Sequence, residues 1–265
     1  MTEPTLLLID VGNSRIKYWL HHATRHPLAG DSEIPAIAHD GTFVPDALRA
    51  LWLDAAHTYA PPDEIRISHV AHADLYEQLS ALCAQLWPQA PIRRIRARAH
   101  HPHLQLGYDD QQMGSDRYAQ ILGAQRLCPN DAHIIISAGT ALTIDGVQAG
   151  GKHIGGVICA GLQLMRTALH QYTAQLPLDG GEIHAQHAPH NTRDALASGV
   201  MLSSIGAITQ FIQRYCSYDP HARPHLLFCG GDALRLLAHC QQTAELAEVP
   251  MRHAPALCLL GLLEM

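Results

Sequence analysis

Two stretches of the chain, 127 residues apart, follow one pattern. With Gly12 set on Gly139, LLLIDVGNSRIK falls on HIIISAGTALTI. Each is an apolar run ending on a small or acidic residue (Asp10, Ser137), then a spacer, a glycine, a polar side chain and a returning strand. A third related pattern, HLLFCGGDA at 225–233, is a strand that ends in two glycines before a helix. Two similar hairpins half a chain length apart predict a duplicated domain with a cleft between the copies. The 265 residues suffice for two modest domains, placed at about 1–115 and 116–265.

The periodicities agree with this arrangement. Strand-like runs fall at 5–11, 14–20, 65–70, 92–97, 133–137, 141–147, 153–159 and 225–229. Helical patterns fit 45–58, 74–86, 115–127, 161–174, 193–215, 232–240 and 255–263. Paired strands followed by strand–helix alternation define an α/β class. His/Pro-rich stretches at 99–103 and 184–190 read as loops.

Charge narrows the function classes. The net charge is −6 with only 18 Lys plus Arg, so no basic stripe for nucleic acid is expected. Arg93, Arg94, Arg96 and Arg98 alternate with apolar residues and fit an edge strand with solvated arginines. The seven cysteines are scattered without a CxxC pair, as expected of core thiols in a reduced, cytoplasmic setting. No window approaches the run of apolar residues of a membrane span, so no membrane partner is expected. His100, His101, His103, His184, His187 and His190 lack Cys partners or an HExxH helix, and read as solvated loop histidines rather than a metal site.

A glycine turn lets backbone approach a ligand, because glycine tolerates positive φ and has no Cβ. Its N–H groups can form an anion-binding nest. Asn13, Arg15 and Lys17 share a strand face and add donors, and Thr140 and Thr143 supply hydroxyls beside Gly139. Two such turns facing each other would hold a polyphosphate, although a surface turn capped by its own Asp and Asn is the alternative for each alone. GxxxxGK[ST] and GxGxxG are both absent, which leaves a P-loop or dinucleotide fold unsupported. Taken by itself, Asp10 is a catalytic base, a metal organiser or a turn residue.

In the segment 105–124, Ser115 or Asp116 is placed to N-cap a helix running to about Leu127. Asp116 could equally project into a cleft as a general base for a hydroxyl. Arg117 beside it offers a fork for carboxylate or phosphate.

These residues resemble, in order, the motifs of the type III pantothenate kinases, within the sugar kinase/Hsp70/actin ATPase superfamily. IDVGNSRIK at 9–17 is similar to DxGNTxxK, with Ser14 for Thr, and GSDR at 114–117 to GxDR, with Tyr108 upstream. SAGTALTID at 137–145, GGVICAGLQLM at 155–165 and NTRDALASG at 191–199 resemble DxGTAxTxD, GGxIxPGxxLM and NTxxAxxxG. The resemblance implies duplicated RNase H-like (actin-like ATPase) domains, a homodimer, and phosphorylation of the pantothenate hydroxyl by ATP with Mg²⁺, the first step toward coenzyme A. It implies that Asp116 is the base, and that Tyr108, Gly114, Ser115, Arg117 and Thr192 bind pantothenate with it. Asp10, Val11, Gly12, Asn13, Ser14, Arg15, Ile16, Lys17 and Thr140 would hold ATP, with Asp10 holding Mg²⁺ or its waters.

Two positions depart from that pattern. Ser137 stands where the family has the Asp that helps bind a monovalent cation (K⁺ or NH₄⁺), and a neutral hydroxyl is a poorer partner, which questions that dependence here. Ala160 replaces a proline and should alter only a turn. Two rival functions stand beside this one: a kinase of another small hydroxyl acceptor, and a non-catalytic transcriptional accessory protein. Retention of Asp10, Lys17, Asp116 and Arg117 favours a working enzyme.

Overall fold

The structure, a computed structural model, describes residues 4–24, 26–58, 60–184 and 187–265. In chain order the elements are β1 (Leu6–Val11), β2 (Arg15–His21), β3 (Ala36–Ala38), α1 (Asp46–Thr58), β4 (Glu64–His69), α2 (Ala73–Leu86), β5 (Ile92–Arg94), β6 (His100–His101), β7 (Leu104–Gln105) and α3 (Ser115–Leu127). They continue with β8 (His133–Ala138), β9 (Ala141–Val147), β10 (His153–Ala160), α4 (Leu162–Tyr172), α5 (Thr192–Tyr218), β11 (His225–Cys229), α6 (Ala233–Gln241), β12 (Met251–His253) and α7 (Leu257–Leu263).

The chain divides into two compact units, Met1–Pro129 with Ala254–Met265, and Asn130–His253. The division therefore falls after α3, not before it at 115/116, because α3 packs on α7 inside the first unit. Each unit holds one five-stranded sheet, ordered β3-β2-β1-β4-β5 in the first and β10-β9-β8-β11-β12 in the second. Strand for strand the two orders correspond: an antiparallel hairpin, a third antiparallel strand, then two parallel strands. The repeat in the sequence is thus a repeat of fold.

In the first unit, β1 is buried at every position, which is why LLLIDV reads as continuous rather than alternating. Leu7, Ile9 and Val11 pack with Leu48 and Trp52 of α1 and Leu75, Leu79 and Leu82 of α2. Leu6 and Leu8 face the other way, against Ala119 of α3 and Cys258, Leu259 and Leu260 of α7. Asp10 continues that second stripe, on the α3/α7 side of the sheet. The helices meet closely: a Cβ on Gly123 would lie 2.0 Å from the Leu257 carbonyl oxygen, and one on Gly261 1.7 Å from that of Ala119. Arg66 of β4 donates to the Leu262 and Leu263 carbonyls at 2.8 and 3.1 Å, placing a cation at the negative end of α7.

In the second unit Ile134, Ile136, Leu142, Ile144 and Phe228 form a core with Val200, Met201, Ile208 and Ile212 of α5. By length and composition α5 is apolar enough to cross a membrane, with mean hydropathy 1.6 over its best window. This corrects the expectation that no segment approaches a span: glycines, serines and threonines break the apolar run without lowering its average far.

Most predicted elements are found within a residue or two of their expected ends. The short β3 and β12 were not expected; each has three residues, too few to show a period. The stretch 99–103, expected as loop, contains β6, which pairs with β7. Strand β5 does lie at a sheet edge, ending at Arg94 rather than 97. In the stretch 184–190, residues 185–186 lie outside those described. All seven cysteines are free thiols.

Candidate active site

The first turn is closed by the Gly12 N–H, which donates to the Arg15 carbonyl at 3.0 Å. Asn13, Ser14 and Arg15 are exposed at its tip. Val11 and Ile16 are fully buried in the core, so only their backbone is available to a ligand. Asn13 lies in the turn before β2, so only Arg15 and Lys17 share the strand face expected for all three. Neither Gly12 nor Gly139 has a positive φ, and a Cβ at Gly12 would meet only the Arg15 oxygen, at 3.5 Å. The protein's own packing thus does not require glycine there. The turn is buttressed by His39, which the sequence reading missed. Its Nε2 donates to the Gly12 carbonyl at 2.8 Å and its Nδ1 accepts from Gly41 N–H at 2.9 Å, so the ring is held as the Nε2–H tautomer. The Asp-Gly turn at 40–41 was the available signal.

Behind the turn, Asp10 of β1 stands opposite Lys17 of β2 and Ser68 of β4, all three on the face toward α3 and α7. Asp10 is buried and its Oδ1 has no hydrogen-bond partner. The thiol of Cys258 on α7, also buried, interacts with the Asp10 carboxylate, whose charge helps hold that thiol far above its usual pKa, after burial itself. Nothing in the sequence near Cys258 signalled this contact.

Helix α3 brings Asp116 to the same place. Its N-cap is Gly114, which has no side chain to offer, so neither Ser115 nor Asp116 caps the helix as the sequence allowed. Ser115 instead ties α3 to the end of β4: its Oγ lies 3.0 Å from Ser68 Oγ, accepts from His69 N–H at 3.0 Å, and donates to the His69 carbonyl at 3.3 Å. That hydroxyl is occupied by the protein rather than presented to a ligand. Asp116 accepts the Arg117 N–H at 2.8 Å. Burial first, and then the charge of Asp10, raise its carboxyl to about 6, against the smaller opposing effect of Arg117. A Cβ at Gly114 would lie 2.6 Å from Asp116 Oδ1, so glycine there leaves the carboxylate its position. Arg117 is buried, its guanidinium 5.1 Å from the ring centroid of half-buried Tyr108. The first unit therefore assembles a carboxyl group held above its ordinary pKa, a guanidinium with an aromatic ring, a second carboxylate and a lysine.

In the second unit Gly139 N–H donates to the Ala141 carbonyl at 3.0 Å, leaving Gly139 and Thr140 exposed at the turn and Ser137 half-buried below it. Gly161, the N-cap of α4, donates to the Thr140 carbonyl at 3.0 Å, and a Cβ on it would sit 2.1 Å from the Gly139 oxygen. The close approach lies at Gly161, so Ala160 beside it leaves this contact intact. Gly230, at a φ of 95°, carries the chain past the Ala138 carbonyl, where a Cβ would stand at 2.3 Å. Thr192 is exposed in the first turn of α5, next to Asn191, whose side chain caps the helix by accepting from Asp194 N–H at 3.0 Å. Among the described residues no group of three His, Cys, Asp or Glu is placed to hold a metal ion; His184 pairs with Asp194 at 3.1 Å instead.

Comparison with known proteins gives a consistent identity. The sequence model of the type III pantothenate kinases matches residues 6–214. The type III pantothenate kinase of Chromobacterium violaceum is 32% identical over 259 residues, covering 97% of this chain and 98% of its own. That of Burkholderia multivorans is 34% identical over 273 residues, covering 99% and 96%. Among solved structures, a Campylobacter jejuni protein assigned to the Baf transcriptional-activator family superposes with a TM-score of 0.58 at 19% identity, covering 97% of this chain and 96% of its own. The activator of 2-hydroxyisocaproyl-CoA dehydratase from Clostridium difficile, with bound ADPNP, gives 0.51 at 10% identity, covering 98% and 92%. These two likenesses show a shared fold. The chain belongs to the type III pantothenate kinase family.

Proposed function

We propose that this protein transfers the γ-phosphoryl group of ATP to the primary hydroxyl of pantothenate, giving 4′-phosphopantothenate in the first step of coenzyme A synthesis. The observation that carries the reading is Asp116: a carboxylate raised to about 6, free of helix capping, between Arg117 and Asp10. At neutral pH it is ionised and still basic enough to accept the hydroxyl proton as the oxygen attacks phosphorus. Arg117, held against Tyr108, binds the pantothenate carboxylate, and Gly114 leaves room for the base.

The ATP phosphates are held by N–H groups and side chains of the turn from Gly12 to Lys17. Glycine at position 12 is explained by room for these phosphates, since the turn itself does not need it. The unpartnered Oδ1 of buried Asp10 suits Mg²⁺ or one of its waters. When bound, that ion neutralises phosphate charge. Ser137, half-buried and neutral, supplies no charge for a monovalent cation, which weakens any dependence of turnover on K⁺ or NH₄⁺. Exposed Leu164, Leu169 and Tyr172 of α4 and Leu202 of α5 support a homodimer.

The test is pantothenate-dependent ATP turnover by the wild type and Asp116→Asn, with a panel of other hydroxyl acceptors. The variant should lose at least about a hundredfold in kcat. Full activity in the variant, or turnover of another acceptor in place of pantothenate, overturns the proposal.

A further inference from the structure

The arginine run after α2 has no part in the chemistry above, yet it lines the wall of a cavity of about 440 Å³ within the first unit. Four of the chain's 18 lysines and arginines lie within six residues, Arg93 to Arg98, in a protein whose net charge is −6. All four line this one cavity, with His101 beyond them.

Their charges are not all balanced. Arg93 shares Glu64 with Arg66, at 3.7 and 3.1 Å. Arg94 lies 4.5 Å over the Tyr76 ring. Glu264, the acidic side chain in the wall, is paired with Arg126. Arg96 and Arg98 are exposed and form no ion pair among the described residues. Beneath them Tyr118 is buried, and Arg98 is the positive charge acting on its phenol, opposed by Asp110.

A solvated edge strand explains exposed arginines but not a cavity. The volume is in the range of small-ligand sites, and guanidinium forks match oxyanions in geometry as well as charge. We propose that this cavity is a second binding site, for a small molecule bearing two or more phosphate or carboxylate groups, with Arg96 and Arg98 as its principal ligands.

The test is calorimetric titration of inorganic pyrophosphate, and separately citrate, into the full-length protein. A Lys17→Ala background weakens the ATP turn, and Arg96→Ala/Arg98→Ala is introduced into that background. Pyrophosphate or citrate should bind the Lys17→Ala protein and bind at least tenfold more weakly once both arginines are removed. The tighter probe then assigns the site to phosphates or to carboxylates. The arginine pair alone, with Lys17 intact, should leave basal pantothenate turnover unchanged. Equal binding with and without the two arginines, or no binding in the Lys17→Ala protein, overturns the site. Neither result bears on the turnover assay above.

Discussion

Asp116 ionises in the field of Asp10: the Asp10 charge adds to burial in raising the Asp116 carboxyl to about 6. If Asp116 is the base, kcat/KM falls about tenfold per pH unit below that value and levels off above it. Asp10→Asn should move the acid limb to lower pH by part of the shift, since burial is the larger cause. A pH–rate profile of the two proteins measures this; an unmoved limb would separate the two carboxylates.

The same shift predicts stability. Asp116 in the folded state binds its proton up to about 6, whereas the unfolded group releases it near its ordinary value of 3.8. Between these limits ionisation favours the unfolded chain, so the contribution of the group falls as pH rises and is least above 6. Asp116→Asn should therefore be more stable than wild type at pH 7–8, by roughly 1–3 kcal/mol, with the gain disappearing near pH 4. Urea unfolding at both pH values checks it.

Gly114→Ala places a methyl group 2.6 Å from Asp116 Oδ1, and the carboxylate rather than backbone has to yield. The substitution should cost less than about 1 kcal/mol in stability yet lower kcat by roughly 10–100-fold. Circular dichroism melts and steady-state kinetics on one preparation distinguish this from general misfolding.

Ser115→Ala removes the hydroxyl that accepts the His69 N–H and meets Ser68. A buried donor left unpaired costs about 1–3 kcal/mol. Thermal unfolding should show that loss with only a modest change in KM for pantothenate, because the hydroxyl serves the fold.

Ser137→Asp restores a negative charge at the end of β8. Turnover of the wild type should be the same in Na⁺, K⁺ or NH₄⁺, and the variant should gain a K⁺ or NH₄⁺ requirement. A K⁺-dependent wild type would show that the cation is held without that carboxylate.

The sequence displayed what rests on short-range pattern. The hairpins of Gly12 and Gly139, the doubled topology and GSDR were all legible, since strand period, turn glycines and motif order are local. Three-residue strands such as β3 carry too little pattern to be seen. Long-range side-chain contacts were invisible for a different reason: His39 on the Gly12 carbonyl and Cys258 on Asp10 join positions that only the fold brings together. Capping by Ser115 failed because tertiary partners on β4 hold its hydroxyl, overriding a local preference.

The division of the chain has a consequence for biogenesis. The second unit is an insertion into the first, and α7 covers Leu6, Leu8 and Asp10 from the far side of that insertion. Cys258 follows Asp10 by 248 residues. At about 5–20 residues per second a ribosome takes roughly 12–50 s to make that stretch. During this interval the nascent β1 lacks its α7 cover and the Asp10 carboxylate lacks its thiol. Docking of α7 is then the event that completes the first unit, so the site exists only after the whole insertion has been made.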